Sequence, residues 1–145
     1  MNTRWTHLAC LLLLLVVAGC GQETAAPEVA PKVSEATPWR SGSTIDETWS
    51  IKWRALAQEI PVGEPFAVEV VVEGDPDRLQ DVLIHVDAEM PHHGHGMNFI
   101  PEISGEPGHW VATGLLLHMP GRWEVSVDVL EDGRMERAQW TIEVE

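Results

Sequence analysis

The chain has 145 residues, enough for one domain with extensions. Nine Lys and Arg stand against 23 Asp and Glu, a net charge of −14. That balance excludes the basic patch that nucleic acid requires and a surface that clings to anionic lipid. Two readings of the acidity stay open, plain solubility and a raised local concentration of cations.

The first elements form an export signal. Arg4 and His7 lie in a short polar start, and an apolar run, Leu11 to Val17, follows. The run falls short of the roughly 20 apolar residues that a permanent membrane helix needs, and fits a signal-peptide core. It ends in "VAGC", Val17 to Cys20, which resembles the bacterial lipobox. That resemblance implies a lipoprotein signal peptide over 1–19, cleavage before Cys20, and lipid on the Cys20 thiol with acyl chains such as palmitate. The membrane partner is then reached through the lipid anchor, in the bacterial cell envelope and facing the periplasm. Gly21 follows the cysteine, which in a Gram-negative cell resembles a lipoprotein sorted to the outer membrane. Cys10 leaves with the signal and Cys20 is capped, so no disulfide is expected and the core must hold the fold alone. Residues 20–44 are rich in Pro, Ala, Glu, Ser and Thr and read as the lipidated cysteine plus a disordered tether, with Trp39 marking where the chain begins to dock.

The folded domain is expected over 45–145. "TWSIKWRAL" puts Trp49, Ile51 and Trp53 on one side, and "EPFAVEVVVEG" spaces Phe66, Val68, Val70 and Val72 by two. "DVLIHVDAEM" does the same with Val82, Ile84, Val86 and Ala88, turning His85 and Asp87 the other way. "HWVATGLLLHM" follows, then "RWEVSVDVLED" and "RMERAQWTIEVE", in which Trp123 to Val129 and Ala138 to Val144 alternate. Period-two alternation in short runs indicates half-buried antiparallel strands. Breakers such as "PVGEP", "SGEPG" and "MPGR" separate them, and Asp132-Gly133 is a hairpin signal. The expected class is all-β, an immunoglobulin-like antiparallel β-sandwich of about seven strands, with a small β-barrel as the alternative. Trp49, Trp53, Trp110, Trp123 and Trp140 are expected to fill the core; a carbohydrate-stacking platform is the competing reading.

"MPHHGHGM", residues 90–97, follows the third of these strands. Pro91 holds Met90 extended, and Gly94 and Gly96 permit a tight fold-back that gathers His92, His93, His95 and Met97. Imidazole suits copper, zinc and nickel, and thioether selects Cu(I), so a His/Met set without thiolate favours copper, as Cu(I) or Cu(II). A second pair, His118-Met119, ends the predicted strand "HWVATGLLLHM". If the two segments meet, His92 or His93, His95, Met97, His118 and Met119 form the expected metal set. His85 and His109 lie within strands and are weaker members. The competing reading is a structural loop whose histidines donate to backbone carbonyls while the methionines plug gaps in the core.

Together, "DAEMPHHGHGMNFIPEI" and "GHWVATGLLLHMPGRWEVSVDV" resemble the YtkA-like (FixH-like) domain family over roughly residues 60–144. The resemblance implies an immunoglobulin-like sandwich in a membrane-attached envelope protein, and lends weight to copper handling. The motif positions are Met90, Pro91, His93, His95, Gly96 and Met97, then His118, Met119, Pro120, Gly121 and Trp123, with His92 an extra. No nucleophile elbow occurs, and none of the abundant carboxylates is visibly paired, so an enzyme is not expected. Two functions remain: a copper-binding lipoprotein that buffers the metal or delivers it to an envelope protein, and a metal-free module that docks an envelope assembly. A histidine pH sensor is a further option.

Overall fold

A computed structural model of the chain describes residues 36–145; the signal segment and Cys20 lie outside them. Among the described residues nine strands form two antiparallel sheets. The first contains β1 (Arg40–Ser43), β2 (Ser50–Ala55), β3 (Phe66–Glu73), β6 (Glu102–Glu106) and β7 (His109–Leu115), in the order β1-β2-β3-β7-β6. The second contains β4 (Leu83–Met90), β5 (His95–Gly96), β8 (Gly121–Glu131) and β9 (Arg134–Val144), in the order β5-β4-β8-β9. One short helix, α1 (Pro76–Leu79), links β3 towards β4 and begins at the Asp75 side chain, which accepts from the Asp77 amide. The fold is therefore an all-β sandwich rather than a closed barrel.

The alternation expected from sequence is what drives the two sheets together. Ile51, Trp53, Val68, Val70 and Val72 of one sheet and Val86, Ala88, Trp123, Val125, Val127 and Val129 of the other are all buried. Each side chain removed from water contributes on the order of 1.5–3 kcal/mol. The tryptophans divide. Trp49, Trp53, Trp110 and Trp123 are in the core, whereas Trp140 is half-buried, packs edge-on against Trp53 at 6.1 Å and donates to the Ser41 carbonyl at 3.2 Å.

The stretch expected to be tether up to residue 44 contains β1, so the domain starts earlier than 45. Arg40–Ser43 has no apolar side chain to reveal it; its order comes from ladder bonds to β2. The preceding Trp39 lies against the Arg54 guanidinium at 4.4 Å, and Thr37 exchanges hydrogen bonds with Ala55. The strand number exceeds about seven for the same reason: β1, β5 and β6 are short edge strands without an apolar stripe. Asp132 (φ 47°) and Gly133 (φ 75°) form the expected hairpin between β8 and β9.

One bulge sets up the end that carries the histidine loop. Phe66 pairs with Leu115 but Ala67 pairs with Thr113, so Gly114 (φ 87°) is an extra residue on β7. Before it, Trp110 and Ala112 face the core; after it, the phase shifts by one and Leu115 and Leu117 face the core. Leu117 then bridges Val62, its carbonyl accepting from the Gly63 amide at 2.8 Å, and fixes where His118 emerges.

Candidate functional site

The histidine loop is built from backbone bonds. β4 runs on to Met90, whose side chain is buried and whose carbonyl accepts from the His93 amide at 3.0 Å. Gly94 takes φ 65° and turns the chain back. Gly96, expected to share that freedom, instead pairs with Glu89 as part of β5, next to the Met90–His95 pair. The Met97 amide closes the return by donating to the Ala88 carbonyl at 3.0 Å. Backbone groups alone thus shape the loop. The rings of His92, His93 and His95 make no hydrogen bond among the described residues, and all three are exposed.

The second segment arrives from β7. Gly121 (φ 125°) opens β8 opposite Val144, and a Cβ there would come to 3.0 Å from the Met90 methyl carbon. That close approach seats the "HMPG" turn on the end of β4. Trp123, fully buried, donates its indole N–H to the Met119 carbonyl at 3.0 Å and holds the turn from below.

The two segments meet. His93 and His95 lie with ring centroids 6.2 Å apart and nearly parallel; His95 and His118 are 5.8 Å apart and nearly perpendicular; His118 stands edge-on to Trp123 at 5.3 Å. His92 takes part in none of these ring contacts. Met97 and Met119 are half-buried and packed against the core, while Met90 is fully inside it. His118 Nδ1 is buried without a hydrogen-bond partner.

Two imidazoles on one ion, with metal–nitrogen bonds near 2.0 Å, place their centroids about 5–6 Å apart. The His95–His118 spacing fits this range. The parallel His93–His95 pair must turn about its side-chain torsions before both nitrogens can aim at one point. Exposed rotamers change within nanoseconds. Among the described residues no three His, Cys, Asp or Glu side chains are grouped so that they could together hold a metal ion. The donor chemistry fits a soft or borderline ion, because thioether sulfur is a soft donor and imidazole a borderline one.

The other two described histidines, His85 and His109, have partners elsewhere. His109 begins β7 and lies 2.6 Å from Glu69, which Arg54 also bonds at 2.6 Å. Burial pulls the Glu69 carboxyl up, but the bonds to Arg54 and His109 outweigh it and hold the group below its ordinary value. His85 faces outward from β4 towards Asp128 at 3.6 Å. Asp128 is only 3% exposed although it lies on the outer face, where Arg137 binds it through two nitrogens at 2.6 and 2.8 Å.

Sequence reasoning missed Phe99 and Ile100, which leave β5 for β6 through the same connection and are 58% and 86% exposed. Their signal was an apolar pair outside any alternating run. It also missed the phasing role of Gly114. Compared with family models, with curated proteins and with solved structures, the chain matches none of them.

Proposed function

We propose that the protein is a lipid-anchored envelope protein whose histidine–methionine end binds copper, and that it either buffers the metal or passes it to a protein partner. One observation carries the reading: His93 and His95 do no hydrogen-bonding work in a loop already fixed by its backbone, His93 lies beside His95, and His95 lies beside His118, whose buried Nδ1 lacks a partner. An unmet buried polar atom costs about 1–3 kcal/mol, which a metal ion bound to it removes. His93, His95 and His118 would supply imidazole, and Met97 and Met119 thioether for Cu(I). His92 is peripheral. The two segments involved are those that resemble YtkA-like domains.

The test is anaerobic Cu(I) titration of the mature chain against a competing chelator, beside a His93→Ala/His95→Ala/Met97→Ala variant. Tight one-to-one binding that the variant loses supports the reading. Equal affinity in the two proteins refutes it.

The second reading, a metal-free module that docks an envelope assembly, draws on the exposed Phe99-Ile100 pair. It predicts that replacing this pair, and not the histidines, abolishes function in the cell.

A further inference from the structure

The chain comes into the domain at the histidine end. The Thr37 amide bonds the Ala55 carbonyl, at the end of β2; the next residue, Leu56, bonds Ala67, and Phe66 pairs with Leu115, two residues before Leu117. Thr37, Pro38 and Arg40 also line a cleft with Val144, which pairs with Gly121. Residue 36, the "HMPG" turn and the histidine loop therefore share one end of the sandwich. The opposite end carries the turn at Asp46 and the β8–β9 hairpin.

The lipidation position lies 16 residues before Ala36. A chain of that length reaches roughly 55 Å fully stretched, but a flexible one averages about 22 Å end to end. The eleven residues of β8 stand about 36 Å tall. Turning the far end towards the anchoring membrane would need the linker drawn well beyond its average length along the whole domain. The near end, with Phe99 58% exposed and Ile100 86% exposed, is the end that meets the membrane without that stretch.

We propose that Phe99 and Ile100 dock the domain onto the lipid surface of the membrane that carries its anchor, so that the histidine end faces the bilayer. The proposal rests on the lipid-anchor reading of Cys20. Two apolar side chains bind a bilayer weakly by themselves, but a tether of this length raises the effective concentration to the order of millimolar, which makes a shallow contact sufficient. The acidic balance of the chain selects a zwitterionic surface, since anionic lipid would repel it. Copper held at this end would then be exchanged with a partner embedded in the same membrane rather than with a soluble protein.

The lipidated full chain is purified, and lipid on Cys20 is verified by mass spectrometry. It is rebuilt with one cysteine for an environment-sensitive fluorophore, either Asn98→Cys beside the pair or Asp46→Cys at the far end. Each labelled protein is reconstituted into phosphatidylcholine vesicles containing doxyl-labelled lipid as quencher. The expected quenching at position 98 exceeds that at 46 by about threefold, because interfacial contact reaches only about 5–10 Å into the bilayer. Adding Phe99→Asp and Ile100→Asp to the Asn98→Cys chain should erase the difference, with near-unchanged unfolding of the domain as the control. Equal quenching at the two positions in verified lipidated protein overturns the docking and leaves the pair to a protein contact. An unmodified Cys20 overturns the anchor reading and the docking with it. Retained copper affinity in the Asp variants shows that either failure is separate from metal binding.

Discussion

Trp123 and Trp53 offer a matched pair of perturbations. Both are buried, at 0% and 1% exposure, but only the Trp123 indole has a hydrogen-bond acceptor, the Met119 carbonyl; the Trp53 indole nitrogen is buried without one. Trp→Phe removes roughly 35–40 Å³ at either site, which costs about 1 kcal/mol as unfilled space. At Trp123 the change also orphans the Met119 carbonyl, adding about 1–2 kcal/mol. At Trp53 it removes an unmet donor, which offsets part of the packing loss. Unfolding entropy for residues 36–145 is about 0.23 kcal/mol per kelvin. Trp123→Phe is therefore expected to lower Tm by about 9–13 °C and Trp53→Phe by less than about half as much. Differential scanning calorimetry of the metal-free proteins reads both values. If Trp123→Phe costs no more than Trp53→Phe, the indole bond does not hold the "HMPG" turn, and the placement of His118 needs another cause. Copper affinity should fall with Trp123→Phe and stay unchanged with Trp53→Phe.

His95→Ala should leave the Tm of the metal-free protein within about 2 °C, since an exposed ring without hydrogen bonds contributes within about 0.5 kcal/mol; a large loss would restore the structural-loop reading. Arg137→Ala should destabilise by about 3 kcal/mol, because Asp128 keeps a buried carboxylate that loses its two-nitrogen partner; urea unfolding measures it. Glu69 is held below its ordinary value, so the folded state binds its proton less readily than the unfolded state. The stability it contributes is complete above the ordinary carboxylate value of 4.5 and is lost as pH falls through the lowered one. Glu69→Gln should thus melt below the parent protein at pH 7, and the two melting curves should converge in acid. Gly121→Ala should lower both Tm and copper affinity, as a Cβ would press on the Met90 methyl in a backbone region that disfavours side chains; equal affinity would separate the turn from the site.

The central strands could be read from the chain because their side chains face two different solvents. Val68, Val70 and Val72 meet the core while Glu69 and Glu73 lie on the opposite face, and no other local structure repeats with period two. The short edge strands lack that contrast. Arg40–Ser43 and His95–Gly96 are held by main-chain bonds to a neighbour, which side-chain patterns do not encode. The meeting of His95 with His118 was equally hidden. It depends on the sheet bringing β4 beside β8 and on a single inserted glycine in "ATGLLLHM" that decides which leucines turn inward. The residue types were legible, but spacing alone does not set His92 apart from His93, as the ring contacts do.

The first described residues and the last strand come together in the cleft lined by Thr37 and Val144, while the Asp132-Gly133 turn sits at the other pole. Joining 145 to 36 through a short linker and opening the chain at that turn would give a circular permutant with every ladder intact except its hairpin connection. Both termini would then project from the pole opposite the histidines. The histidine end would be a closed surface, and any tag or immobilising link would be attached as far from it as the fold allows.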